Sequence, residues 1–157
     1  MRTIRPGRLS DLAELQQLFV DTISSVCRPD YTAKQLEVWT SGVNNEQRWR
    51  DILLNQFVLV ALQDTEIVGF ATLDAGHYID LLYVHKDYQR QGIAQELYTE
   101  IEKEARQQQQ VELTADVSIT ARVFFESVGF SVINEQVVMR QGVELINFRM
   151  RKFLHSR

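Results

Sequence analysis

One stretch, Tyr78 to Tyr98, constrains the fold most, because it combines an apolar strand, a polar turn and an amphipathic helix. Ile79 and residues 81–84 form an almost unbroken apolar run, which is typical of a strand covered on both faces. From Ile93 to Ala105 the apolar residues recur at helical spacing, with polar residues on the opposite face. The stretch therefore predicts a strand, a loop and a helix inside an α/β domain.

The turn before this helix has the composition of an anion-binding site. The first N–H groups of a helix have no partner within it, and the helix dipole is positive at that end. Gln89-Arg90-Gln91-Gly92-Ile93-Ala94 fits the pattern Gln/Arg-x-x-Gly-x-Gly/Ala, whose small residues let a pyrophosphate approach the backbone. A lone glycine at a helix start is more often only a turn residue, so the strand and the helix around it have to support the interpretation.

Residues Ile79 to Ala94 resemble the coenzyme A binding core of the GNAT superfamily of N-acetyltransferases. A second block, Ala121-Arg-Val-Phe-Phe-Glu-Ser-Val-Gly-Phe130, is similar to the family's downstream motif Ala-x-x-Phe-Tyr-Glu-x-x-Gly-Phe. The two blocks have the order and separation that are usual in the family, and with their flanks they span residues 57 to 150. The resemblance implies an acetyl-CoA-dependent N-acetyltransferase.

The resemblance also implies where acetyl-CoA lies. In this family the fourth and fifth strands, here near residues 77–84 and 111–117, splay apart, and the pantetheine arm occupies the gap. Backbone groups of Leu82 and Val84 would bond the pantetheine amides, and the Leu82 N–H would also face the thioester oxygen. The implied coenzyme-binding residues are Leu82, Tyr83, Val84, Gln89, Arg90, Gln91, Gly92, Ile93, Ala94, Ser118 and Phe124.

Asp80, Leu82 and Tyr83, all on the central strand, are the candidate catalytic residues. A carboxylate inside an apolar strand is costly unless it has a task or a partner, so we expect Asp80 to bind the amine or take its proton. The alternative is that Asp80 only pairs with a nearby arginine or backbone group. Regular alternation predicts Tyr78, Asp80 and Leu82 on one face, and His77, Ile79, Leu81 and Tyr83 on the other, unless a bulge shifts the register.

Three positions depart from the pattern of the family. Phe125 stands where the motif has a tyrosine that acts as general acid near the thiol, and Ser118 stands where many members have asparagine. Tyr78 falls where some members place a glutamate base, and a tyrosine is a poor base at neutral pH. A water, or one of Tyr78, Tyr83 and Tyr98, would then have to supply the proton.

The first third of the chain resembles the family only in its layout and is expected to cover the acceptor. The candidate acceptor-binding residues are Tyr31, Trp39, Tyr78 and Asp80, although core packing is the alternative for the tryptophan. The predicted acceptor is an amine of a small molecule or a peptide. A homodimer through the closing hairpin is a further prediction.

Composition argues against other classes of function. With 17 basic and 21 acidic residues the net charge is −4, which disfavours nucleic acid or an anionic membrane as a partner. The longest apolar run, residues 57–62, is far shorter than the ~20 residues of a membrane span. A single cysteine, Cys27, fits a reducing compartment, and His77, His85 and His155 lack metal-ligand spacing. We therefore expect a cytoplasmic protein without a metal.

The remaining patterns predict one domain, residues 1–157, with a GNAT-like mixed sheet flanked by helices. The predicted strands are 3–5, 57–62, 67–73, 76–84, 111–117, 130–139 and 143–150, and the predicted helices are 11–23, 33–39, 45–54, 93–105 and 120–128.

Two other functions compete with the enzyme. The first is a non-catalytic module that binds acyl-CoA and signals through a protein partner, which the missing hydroxyl at Phe125 keeps open. The second, a Rossmann dinucleotide-binding unit, is disfavoured because Gly-x-Gly-x-x-Gly is absent, and residues 89–94 contain no Walker lysine.

Overall fold

Seven strands form one mixed sheet in the order β1-β2-β3-β4-β5-β7-β6 in the computed structural model. The model describes residues 1–155, so Ser156 and Arg157 of the predicted domain lie outside it. The β4–β5 pair is parallel and the other neighbouring strands are antiparallel. The strands are β1 Arg2–Pro6, β2 Phe57–Gln63, β3 Glu66–Asp74, β4 Tyr78–Val84, β5 Glu112–Ser118, β6 Ser131–Arg140 and β7 Val143–Phe153.

Five α-helices within residues 1–155 cover the two faces of this sheet, and each face has its own hydrophobic core. One face carries α1 Leu12–Val26, α2 Ala33–Thr40 and α3 Glu46–Asn55, which bury residues such as Phe19 and Trp49. The other face carries α4 Ile93–Gln107 and α5 Arg122–Ser127. No helix within residues 1–155 is both long and apolar enough to cross a membrane.

Local sequence signals explain where several helices begin and end. Thr32 begins α2 with a capping box, because its hydroxyl accepts from the Gln35 N–H while the Gln35 side chain accepts from the Thr32 N–H. At the end of α5, Phe130 donates to the Phe125 carbonyl across Gly129, which has a φ of 105°. This Schellman geometry ends the helix at a glycine cap, and α5 is shorter than the predicted helix 120–128.

The splayed strands predicted by the family resemblance are present. β4 and β5 pair only at Tyr78 with Thr114 and at Ile79 with Ala115, within the residues described. Beyond these two pairs the strands separate, although β4 continues to Val84. The predicted fold class, a GNAT-like mixed sheet with splayed fourth and fifth strands and flanking helices, is confirmed.

A β-bulge in β4 changes which face its side chains occupy. The partners of Ile79 and Leu81 on β3 are adjacent residues, so Asp80 is an extra residue in β4. Ile79 therefore packs in the core beneath α4, whereas Leu81 packs in the core beneath α1. The predicted grouping of Ile79 with Leu81 and Tyr83 is therefore wrong. The predicted placement of Leu82 on one face with Asp80 is also wrong, because Leu82 packs against the same core as Ile79.

Candidate active site

A cavity of about 350 Å³ lies where β4 and β5 separate. Its walls come from β4, β5, the hairpin of β6 and β7, and the helices α1 to α3. The predicted site residues Tyr31, Trp39, Tyr78, Asp80, Leu82, Tyr83 and Ser118 all line it. The structure therefore brings together side chains that are far apart in the sequence.

Backbone hydrogen bonding shows which groups of β4 face the gap. His85 donates to the Val68 carbonyl on β3 at 2.8 Å. An antiparallel ladder alternates between bonded and non-bonded pairs, so Tyr83 is bonded to β3, and the N–H and C=O groups of Leu82 and Val84 point the other way. Leu82 has no partner on β5 within residues 1–155. Its N–H is free to meet a ligand in the gap.

The turn after β4 is braced by its own side chains. The Val84 carbonyl accepts from the Gln89 side chain at 2.6 Å and from the Thr22 hydroxyl at 3.0 Å. Both lone pairs of this carbonyl are therefore used, which leaves the N–H as the backbone group of Val84 that can meet a ligand. The Gln89 side chain therefore stabilises the turn through its hydrogen bond to Val84.

The start of α4 offers a row of unpaired backbone donors. The first N–H bonded within this helix belongs to Glu96, which donates to the Gly92 carbonyl at 3.0 Å, so the N–H groups of residues 93–95 have no partner in the described chain. Arg90 and Gly92 have φ values of 61° and 81°, both in the left-handed region. A Cβ built on Gly92 would meet only a Glu96 oxygen, at 3.9 Å, so the space above the donors is open.

Arg2 supports this turn from β1, and no motif in the sequence indicates this role. Its guanidinium donates to the Gln91 carbonyl at 3.1 Å and to the Glu96 carboxylate at 2.5 Å. The pair neutralises an acidic residue in the first turn of α4, where a carboxylate would otherwise repel a phosphate.

Asp80 is held by three donors from α3 and the loop after it. Arg48 donates to both carboxylate oxygens, at 2.9 and 3.2 Å, and the Gln56 side chain donates at 2.8 Å. The Asp80 side chain is only 10% exposed. The hydrogen bond to Asp80 raises the pKa of Arg48. The arginine pairing considered for Asp80 is thus present, and a fourth lone-pair site on this carboxylate has no donor among the described residues.

Asp116 on β5 is a second carboxylate in the cavity wall, and the sequence analysis missed it. It accepts from the Tyr78 hydroxyl at 3.1 Å, from the Gln136 side chain at 3.0 Å, and from Arg149 at 2.6 and 3.2 Å. Burial and the neighbouring Asp116 charge raise the pKa of Tyr78. An acidic residue alternating with apolar residues along β5 was the available signal.

Aromatic side chains form the wall on the helical side of the cavity. Tyr31 donates to the Ile146 carbonyl at 2.6 Å and accepts from the Ile119 N–H at 3.0 Å, which ties the segment before α2 to β7 and to the end of β5. The Tyr31 and Trp39 ring centroids are 5.2 Å apart. Phe19 packs edge-on against Tyr83 at 5.2 Å.

The tyrosines considered as proton donors occupy different places. Tyr83 lines the cavity, and burial raises its pKa. Tyr98 is directed away, because its hydroxyl donates to Glu102 at 2.6 Å and its side chain does not line the cavity. Phe125 lines the cavity, is 5% exposed and packs against the Phe130 ring at 5.1 Å.

Two predicted coenzyme residues differ in their environment. The Ser118 hydroxyl accepts from the Ala121 N–H at 3.1 Å, and Ser118 lines the cavity where β5 ends. Phe124 lies outside the cavity lining, with its ring 6.5 Å from that of Tyr98.

Within residues 1–155, no group of three or more His, Cys, Asp or Glu residues is arranged to hold a metal ion.

Comparison with known proteins gives consistent matches. Residues 27–152 match the family model described as an acetyltransferase (GNAT) domain. The chain is 34% identical over 151 residues to the uncharacterized N-acetyltransferase YafP of Escherichia coli strain K12, with 96% of this chain and 93% of that protein covered.

Solved structures share the whole architecture. A GCN5-related N-acetyltransferase from Rhodopseudomonas palustris superposes with a TM-score of 0.94 at 32% identity, over 98% of this chain and 96% of that one. The PaiA N-acetyltransferase from Thermoplasma acidophilum, determined in complex with coenzyme A, has a TM-score of 0.81 at 19% identity, over 98% and 99% of the two chains. At that identity the second likeness concerns the fold.

Proposed function

The chain belongs to the GNAT acetyltransferase family and uses acetyl-CoA as co-substrate, and we propose that it acetylates the amine of a small molecule or a peptide. One observation carries the proposal: β4, where the Leu82 N–H faces the gap, leads through one short turn to the unpaired N–H groups at the start of α4. The gap beside Leu82 can accept the pantetheine amides, and the unpaired N–H groups can bind a pyrophosphate.

The proposed coenzyme site follows from this geometry. Residues 93–95 offer their N–H groups to the pyrophosphate, Gly92 leaves the space for it, and Arg90 adds charge near it. Leu82 and the Val84 N–H face the pantetheine arm, whereas Tyr83 contributes through its side chain. The complete proposed set is Leu82, Tyr83, Val84, Gln89, Arg90, Gln91, Gly92, Ile93, Ala94, Ser118 and Phe124.

The proposed reaction is a direct transfer in the cavity. The acceptor amine attacks the thioester carbonyl carbon in its neutral form, a C–N bond forms and the C–S bond breaks. The Leu82 N–H stabilises the negative charge that develops on the carbonyl oxygen. The amine gives up one proton to the free lone-pair site of Asp80 and the coenzyme thiolate takes one, and exchange with solvent returns the donor and the acceptor to their starting states. Tyr83 lines the cavity as a phenol and is the side chain proposed to supply the proton to the thiolate.

The acceptor is proposed to lie among Tyr31, Trp39, Tyr78 and Asp80. The free lone-pair site of Asp80 suits one N–H of the reacting amine, with Arg48 and Gln56 fixing the carboxylate. Tyr31 and Trp39 supply apolar surface for the body of the acceptor.

Free thiol released from acetyl-CoA, measured with a panel of amines, tests the proposal. The expected result is thiol release that depends on the acceptor and an acetylated product of the matching mass. Tight binding of acetyl-CoA in calorimetry without turnover on any amine would favour the alternative, an acyl-CoA-binding module that acts through a protein partner.

Location and assembly remain predictions. We expect a cytoplasmic protein that has neither nucleic acid nor a membrane as its partner, since the net charge is −4. A homodimer through the closing hairpin is supported by the position of β6 at the sheet edge and by the exposed side chains of Val137 and Met139 on it. Light scattering coupled to size-exclusion chromatography measures the mass.

A further inference from the structure

The cavity has few free hydrogen-bond acceptors. Asp80 and Asp116 are the acidic residues of its wall, within the part of the chain described. A carboxylate has about four lone-pair sites. Asp116 receives four hydrogen bonds and Asp80 receives three. One site, on Asp80, is therefore left for the reacting amine, and no carboxylate remains for a second cationic group.

The same wall also contains a positive charge that no carboxylate balances. Arg48, which lines the cavity, is paired with Asp80, and Arg149, which is not among the lining residues, is paired with Asp116. Arg140 also lines the cavity, and its guanidinium forms no hydrogen bond or ion pair within residues 1–155. Because both carboxylates are already paired with arginines, Arg140 leaves one unpaired positive charge and five unused N–H donors at the cavity rim.

The direction and position of Arg140 follow from β6. Side chains alternate along a strand, so Arg140 shares a face with Val138 and Gln136. Val138 packs against the core beneath α1, and the Gln136 side chain donates to Asp116, a residue of the cavity wall. The hairpin is fixed against α2 and the turn after it, because the Gln35 side chain donates to the Glu144 carbonyl at 2.8 Å and the Gln141 side chain donates to the Ser41 hydroxyl at 3.0 Å.

We propose that the acceptor carries an anionic group, such as a carboxylate, besides its reacting amine, and that Arg140 binds this group. Asp80 binds the amine end of the acceptor, and the aromatic wall contacts its apolar body. Arg140 binds the anionic group at the rim of the cavity. Diamines and polycationic peptides are poor acceptors, since their second ammonium meets saturated carboxylates and an arginine. This inference rests on the proposed function and narrows its substrate class.

Two matched series of amines test the inference. The aromatic series is para-aminomethylbenzoate, benzylamine and para-xylylenediamine, and the flexible series is ε-aminocaproate, hexylamine and hexamethylenediamine. At saturating acetyl-CoA, kcat/KM of the carboxylate member should exceed that of the neutral member about 10-fold in at least one series, as expected for a charge-assisted hydrogen bond. The diamines should be the poorest acceptors.

Variants at Arg140 connect the preference to this residue. Arg140→Gln should reduce the preference for the carboxylate member over the neutral one to below about twofold, and Arg140→Lys should retain part of it because the charge remains. Arg151→Gln is the control: Arg151 is another partly exposed arginine of the same hairpin, stacked on Phe153 outside the cavity, and its removal should leave the preference unchanged.

The outcomes separate this inference from the proposed function. Turnover of neutral amines or diamines as fast as that of the carboxylate members overturns the inference and leaves the acetyltransferase assignment standing. A carboxylate preference that survives Arg140→Gln also overturns the role of Arg140. Absence of turnover with every amine, in a protein that binds acetyl-CoA, overturns both.

Discussion

The coenzyme side and the acceptor side of the cavity are built from different kinds of groups. On the coenzyme side, the free groups are main-chain N–H donors of Leu82 and of residues 93–95. On the acceptor side, they are side chains such as Asp80 and Arg140, and Asp80 is positioned by partners on other elements. A main-chain site tolerates changes of side chain, whereas a side-chain site can be retuned by one substitution. The two sides should therefore respond differently to mutation.

Asp80→Asn should have the largest effect, and it should be confined to the acceptor side. The amide keeps the shape but removes the charge that binds the amine, so kcat/KM for the acceptor should fall about 100-fold, within the range for acid–base groups. Affinity for acetyl-CoA should stay within about twofold, as measured by calorimetry. A variant with near wild-type turnover would leave Asp80 only its structural pairing with Arg48.

Phe125→Tyr should have a smaller effect, on the leaving group. The ring lines the cavity, where a phenol could protonate the departing thiolate, so the rate should be unchanged or should rise by less than the ~10² typical of general acid catalysis. Phe153→Tyr is the matched control, because that ring is 57% exposed, lies outside the cavity lining and should leave the rate unaltered. A large loss of rate in a folded Phe125→Tyr protein that still binds acetyl-CoA would mean that this position needs an apolar side chain or lies away from the thiol.

Glu102→Gln should have the smallest effect, on stability and not on turnover. Burial favours the neutral carboxyl, but hydrogen bonds from Lys152, Tyr98 and Arg106 outweigh burial and lower the pKa of Glu102 to about 2. Because the folded-state pKa lies below the ordinary value of 4.5, the stabilisation is present above pH 4.5 and is lost as the pH falls toward 2.

Urea unfolding of wild type and Glu102→Gln at several pH values measures this contribution. The difference in unfolding free energy should be about 1 kcal/mol near neutral pH, since solvent screens the partly exposed carboxylate. This free-energy difference should become smaller as the pH falls from 4.5 toward 2. A difference that does not change with pH would contradict the ionic origin.

The contrast between the two sides also explains what the sequence could predict. The strand, turn and helix around Gly92 are contiguous, so periodicity and the glycine position were sufficient to locate them. The bulge at Asp80 depends on how β4 pairs with β3, and the four donors to Asp116 come from strands that are distant in the chain. Arg2 and Arg140 likewise acquire their positions only when β1 and the hairpin meet the rest of the sheet.

The backbone conformation of Gly92 decides which substitution is informative there. Its φ of 81° is in the left-handed region, where valine would strain the fold whatever it did to the coenzyme. Asparagine tolerates this conformation and still places a side chain in the space above the free N–H groups. Gly142 offers the matched control, because its φ is 77°, no atom lies within 4 Å of an added Cβ, and it lies in the turn of the distant hairpin.

Calorimetric titration of acetyl-CoA into Gly92→Asn and Gly142→Asn tests the central claim most directly. Both variants should unfold at similar urea concentrations, since the two glycines have similar positive φ values, 81° and 77°. Gly92→Asn should bind acetyl-CoA at least about 10-fold more weakly than wild type, because the new side chain occupies the phosphate position at the helix start, and Gly142→Asn should bind it normally. Equal affinity in both variants would contradict a pyrophosphate site built from the backbone at the start of α4.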